Sequence, residues 1–274
     1  MSKFIFSLLV LFAATSSVLQ SQQLAGTDKV NEEIFTARVK QFGEFADRFN
    51  LSTDFRGNPA DSAFIKKMPR EKMISSLFDA SDERNSKQSA HYSEYSALKQ
   101  QFIKELTGKN ILLDKHSGGI IAEARSRVTF NGKPETISIF LNQEVTGKGG
   151  VKWVMLSAGD FLDDVFLTDT TMVRFISPNS NETAFLNLGR ALEDKGHLQA
   201  YAYSGFRPDN LSVFLYLVST GAIKFEYAEE VVYHIISIPG WYFKVRDFNR
   251  NQLNSGWLIS DLKKGNYELK DLFN

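Results

Sequence analysis

The chain has 274 residues, 43% of them hydrophobic and 23% charged, values of a folded globular protein and not of a disordered one. Its 32 basic residues are matched by 32 acidic ones, so no excess positive charge is available to grip nucleic acid or an anionic membrane surface. With no cysteine, disulfides, thiolate metal sites and a lipid anchor on an N-terminal cysteine are all excluded.

Residues 1–21 read as a secretory signal peptide. Met1-Ser2-Lys3 is a short basic start, Phe4 to Ala14 is apolar except for Ser7, and small polar residues follow. The apolar run is about half the length of a membrane span. Cleavage is placed after Ser21. It removes Lys3 and no acid, leaving 31 bases against 32 acids and a net charge of −1. Export without any cysteine points to a bacterial source and a periplasmic or extracellular product.

Residues 22–110 are expected to be mainly helical. Asn31 to Asn50 reads as one amphipathic helix, with Phe35, Val39, Phe42, Phe45, Ala46 and Phe49 spaced three and four apart. Leu51 to Asp61, which contains Gly57-Asn58-Pro59, is a loop. Pro69 opens a second helix whose face is Met73, Ile74, Leu77 and Phe78. The cations Lys66, Lys67, Arg70 and Lys72 beside it could offer an anion site at the helix start, but are read as a solvated face. A third helix, Ala90 to Thr107, aligns Tyr92, Tyr95, Leu98, Phe102, Ile103 and Leu106 and stops near Gly108.

Residues 111–262 are expected to form an α+β body, with sub-modules at 111–165 and 166–262. Between Ile120 and Leu156 the period falls to two, and the turns Asn131-Gly132 and Thr146 to Gly150 separate three strands. Met172 to Ile176 is one more candidate strand, and a helix is expected around Phe185 to Leu198. Another helix follows Pro208-Asp209-Asn210, burying Leu211, Phe214, Leu215 and Val218 and closing at Gly221. Val231 to Leu262 then gives a second meander, in which Trp241, Phe243 and Val245 alternate with Tyr242, Lys244 and Arg246. Trp153 and Trp257 take similar places in VKWVML and SGWLIS, as a diverged repeat would place them. Residues 263–274 are a tail. The fold class is therefore α+β: two three-stranded antiparallel meanders, or one six-stranded curved sheet, packed with amphipathic helices.

The stretches Phe45 to Asn50, Lys67 to Phe78, Val151 to Leu156 and Ile238 to Leu262 carry a resemblance to the NTF2-like cone fold. In that fold helices precede a curved antiparallel meander with a Trp early in a closing strand. The chain also resembles exported proteins of Bacteroides-like bacteria. The resemblance implies a fold and transfers no catalytic residue.

Motifs for chemistry are few. The histidines are His91, His116, His197 and His234, and none lies in HExxH or its inverse. There is no GxSxG elbow, and the Thr146–Gly150 glycines suit a hairpin turn, not a phosphate cradle. No metal site, cofactor or catalytic residue is assigned. His234 is the residue to watch, since it alternates with Val232 and Ile236 on an apolar strand face where it could meet a ligand. Trp241, Tyr242 and Trp257 complete the candidate ligand-binding set, and Tyr201, Tyr203 and Phe206 could extend it into a stacking platform. The expected function is non-enzymatic binding of a small molecule, glycan or protein through a cleft beside the second meander. The alternatives are a hydrolase-like pocket enzyme using His234, and a structural protein associated with the cell envelope. Asp61-Ser62-Ala63 and Asp169-Thr170-Thr171 resemble bacterial O-glycosylation sites, which marks Ser62 and Thr170.

Overall fold

The computed structural model of the chain describes residues 32–116, 118–147, 149–159, 193 and 209–272. The expected signal peptide at residues 1–21, the expected strand Met172–Ile176, the expected helix around Phe185–Leu198, His197, Thr170 and the aromatics Tyr201, Tyr203 and Phe206 lie outside the described residues.

The fold class is α+β. Helices α1 (32–37), α2 (Phe42–Phe49), α3 (Ser62–Lys67), α4 (Arg70–Ser76) and α5 (Tyr92–Gly108) precede strands β1 (Ile120–Phe130), β2 (Lys133–Val145) and β3 (Val151–Ala158). Helix α6 (Asn210–Ser219) and strands β4 (Ile223–Ile235), β5 (Trp241–Phe248) and β6 (Gly256–Lys264) follow. One antiparallel sheet runs in the order β3–β2–β1–β4–β5–β6, so of the two arrangements compatible with the sequence the single sheet is the one formed. Two chain units divide the fold: residues 1–120 with 232–274, and residues 121–231.

In the inner unit, 121–231, the β1–β2 hairpin turns on Asn131 and Gly132, with φ of 48° and 81°. Two successive positive φ values make the tight turn that matches strand twist. Asp209 caps α6 by accepting from the Ser212 amide at 2.9 Å. That helix lays Val213 and Phe214 into a small core with Val128, Ile137, Ile139 and Ile223. Leu215 and Val218, which the helical spacing assigns to the interior, are instead 44% and 41% exposed. The buried stripe is rotated by one position because Val213 takes the inward place.

In the outer unit the expected helix over Asn31–Asn50 is broken in two. Residues 32–37 and Phe42–Phe49 are helical, and between them Val39 pairs with Gly256 as a parallel bridge. The apolar stripe therefore divides: Phe45, Ala46 and Phe49 are buried, while Phe35 is 63% exposed. Helix α4 ends at Ser76 because Leu77–Asp79 leaves to pair with β6, so Leu77 is buried at the helix C-cap and Phe78 from the bridge that follows it. The main core joins Phe49 and Phe102 to Trp241 and Phe243. Phe49 stacks on Phe243 at 5.9 Å, and Phe102 meets Trp241 edge-on at 5.1 Å. Such pairs add about 0.5–1.5 kcal/mol to the burial of their area.

Gly256 sits at φ +84°, and a Cβ there would stand 2.0 Å from the Val39 carbonyl oxygen. Gly43, in helix α2, has open space at the same test. Gly256→Ala is therefore expected to cost at least about 2 kcal/mol, from left-handed strain and displacement of Val39, whereas Gly43→Ala should stabilise by about 0.5–1 kcal/mol. Urea denaturation of the two variants checks both signs.

Candidate functional site

The four residues singled out in the sequence separate onto two faces of the last meander. Trp241 is 1% exposed on the core face, where its indole Nε1 donates to Glu105 Oε2 at 3.1 Å. Trp257 packs against the same core and lies 5.1 Å from the Tyr233 ring. His234 and Tyr242 share the opposite face and come together: His234 Nδ1 is 2.9 Å from the Tyr242 hydroxyl. Tyr242 in turn stacks on Tyr267 at 4.6 Å. His234 and Tyr242 are each 4% exposed, so both faces of β5 are taken up by packing.

Concave space lies elsewhere in the outer unit, along the outer edge of β6. Two chain segments add to that edge. Val39 donates to the Ser255 carbonyl at 3.1 Å and accepts from the Trp257 amide at 2.9 Å. Leu77 accepts from the Ile259 amide at 2.7 Å, and the Asp79 amide donates back to the Ile259 carbonyl at 3.0 Å. Gly256 and Ile259 are only three residues apart, so residues 37–39 and 75–80 approach β6 side by side. A cavity of about 520 Å³ opens among them, its wall including Val39, Leu77, Phe78, Ser255 and Leu258. A second, of about 450 Å³, adjoins it through Ala37, Phe55 and Leu253 and runs out towards Glu32, Glu33 and Arg56. Both volumes fall in the range of small-molecule sites. Neither wall includes His234, Trp241, Tyr242 or Trp257.

Most polar groups around the larger cavity hold its walls in place. Arg250 Nη2 meets Asp79 Oδ1 at 2.6 Å and Asn254 Oδ1 at 2.7 Å. Asn254 Nδ2 donates to the Ser76 and Phe78 carbonyls at 3.1 and 3.0 Å. The β5–β6 loop is thereby stitched to the turn after α4. On the other wall Arg48, 2% exposed, donates to the carbonyls of Thr36, Ala37 and Arg38 at 3.1, 2.6 and 3.2 Å. These are the open carbonyls at the end of α1, which a cation suits. Glu44 Oε1, at 2.5 Å, balances the charge. Burial pulls the Arg48 guanidinium below its ordinary range.

Two donors are not used in this way. The Ser255 hydroxyl is buried, 1% exposed, and has no hydrogen-bond partner; Arg48 Nε is likewise unpartnered. Lys99, in the cavity wall, donates to the Asn85 side-chain carbonyl and stands 4.9 Å from the Tyr95 ring centre and 5.6 Å from that of Phe78. No carboxylate among the described residues is in ion-pair contact with it. Asp82, whose field acts on it, is engaged with Arg84 at 2.6 Å, and Arg84 with Asp261 at 3.1 Å. Burial lowers the Lys99 ammonium from the usual lysine range.

Arg70, read in the sequence as part of a solvated cationic face, has its guanidinium turned inward. It donates to the carbonyls of Phe49 at 3.1 Å, Leu106 at 3.4 Å and Ile111, closing the ends of α2 and α5. Ser62 is exposed at the start of α3, which Asp61 caps through the Phe64 amide at 2.7 Å. Among the described residues no three His, Cys, Asp or Glu side chains converge as a metal site would require, and no helix is long and apolar enough to cross a membrane. Compared with protein-family models, curated proteins and solved structures, the chain matches none.

Tyr95 shows how tightly the wall behind Lys99 is packed. Burial pushes its phenol up to about 12 from an ordinary 10, even though the Arg84 guanidinium 4.1 Å from the ring acts the other way. The folded state thus favours the neutral phenol. That contribution is complete below pH 10 and is lost as the pH rises towards 12. The unfolding free energy should fall across that window, by up to about 2–3 kcal/mol, and Tyr95→Phe should flatten the fall. Denaturation curves collected between those pH values test this.

Proposed function

We propose that the chain is an exported bacterial protein that binds a small ligand, without chemical turnover, in the cleft along the outer edge of β6. The observation that carries the reading is the cavity of about 520 Å³ flanked by the two segments bridged to β6. Its walls are fixed by backbone pairing and by the Arg250–Asp79–Asn254 cluster, so the space is pre-formed and a ligand need not pay for ordering it. The wall combines apolar side chains with a few polar groups, the composition of a small-molecule site. Export is supported by the basic, apolar and small-polar succession of residues 1–21, and a free product by the missing cysteine. Kinship with NTF2-like cone folds belongs to the same proposal. Helices that precede an antiparallel sheet, and Trp257 early in its last strand, support it.

Amide NMR spectra recorded with a fragment set of acids, bases, neutral polar molecules and aromatics test the cleft. Shifts should concentrate on Leu77–Ala80 and Leu253–Leu258, and Ala80→Trp, an exposed change at the rim, should abolish them. Shifts confined to other surfaces, or none at all, would count against the cleft.

A further inference from the structure

The polar inventory of the cavity wall is one-sided. Its acid, Asp79, is consumed by Arg250, and the side chain of Asn254 spends both its amide and its carbonyl on the loop around it. What is left over is the Lys99 ammonium, whose hydrogen bond goes to the neutral side-chain carbonyl of Asn85. A half-buried cation whose hydrogen-bond partner is a neutral amide oxygen has, among the described residues, no carboxylate in ion-pair contact to offset its loss of water. Around it the wall is apolar, through Phe78, Leu77 and Leu258.

Resting on the reading of this cleft as a ligand site, we propose that the ligand is a monocarboxylate with an apolar body. Its carboxylate is received by Lys99, and its body lies against Phe78, Leu77 and Leu258. A single negative charge answers the Lys99 ammonium. A dianion such as a phosphate ester would bring a second charge into an apolar wall where, among the described residues, no second free cation meets it. A neutral polyol would leave Lys99 without its counter-ion and would set hydroxyls against the apolar surface. The partial desolvation of Lys99 acts in the same direction, because a charge pair gains strength where water is scarce.

The test is calorimetric titration of the whole mature protein with a series of alkyl and aryl monocarboxylates, 4-phenylbutyrate among them, each beside its primary amide. The amide keeps the shape and removes the charge. At least one acid is expected to bind about tenfold more tightly than its amide, the size of one charge-assisted contact. Lys99→Met should bring the two within about twofold, and Lys99→Arg should preserve the preference. Thermal unfolding without ligand shows that each variant is folded before its titration is read. Equal binding of acids and amides would overturn the inference, as would a preference that survives Lys99→Met, or no binding by any acid of the series. If neutral fragments still map to Leu77–Ala80 while no acid binds, the cleft stands and only the carboxylate assignment falls.

Discussion

The outer unit depends on how the free edge of β6 is closed. A terminal strand presents a row of amides and carbonyls that must find partners or invite another chain. Here they are met by two pieces of chain far from β6 in sequence, Val39 and Leu77–Asp79, through four backbone hydrogen bonds. Each piece is a break in helical structure: the first interrupts the run from 32 to 49, and the second ends α4. The helices are thereby tethered to the sheet at their ends as well as through their apolar faces. Because the two tethers meet β6 only three residues apart, side chains cannot fill all the space between them. The cavity is a by-product of closing the edge.

Two arginines, Arg48 buried and Arg70 half-buried, complete the closure. A helix that ends inside a protein leaves carbonyls that water cannot reach. Arg48 satisfies three at the end of α1 and Arg70 satisfies those of Phe49, Leu106 and Ile111, so each guanidinium replaces several missing waters at once. The five donors and flat shape of arginine make this practical, where a lysine would serve fewer groups. Arg48 is paired with Glu44, but its Nε stays without a partner in the cleft wall.

The strands were legible because they rest on local rules. Alternation placed Trp241, Phe243 and Val245 on one face, and the Asn131-Gly132 turn was visible as a residue pair that accepts positive φ. Helix α5 was equally plain, with Tyr95, Phe102 and Leu106 buried as its spacing requires. The break at Val39 was not legible. Asn31 to Asn50 keeps a helical period throughout, and only a partner more than two hundred residues away, Gly256, pulls Val39 out of it. Gly256 itself carried a faint signal, since a glycine opening an apolar strand often marks close backbone approach. Arg70 was misread for a related reason: a cation near a helix start looks solvated until the ends of two other helices are known to converge on it. Composition and period report which face is buried, whereas edge closure and buried charge depend on which distant segments meet.

The same distinction explains why the aromatic strand residues attracted attention and yet sit away from the cleft. A strand rich in Trp, Tyr and Phe has much area to bury, and in β5 both faces bury it: Trp241 and Phe243 in the helical core, Tyr242 against His234 and Tyr267. A histidine on such a face meets a tyrosine hydroxyl and becomes part of the packing. Capacity for a ligand arises where packing is incomplete, and incompleteness is greatest where rigid elements are forced together by backbone geometry instead of by side-chain fit. The rim of β6 is such a place. There a lysine stands beside aromatic rings and an amide oxygen, with no acid among the described residues in ion-pair contact with it. A wall built only for stability would be expected to fill that position with an apolar side chain or to supply the missing carboxylate.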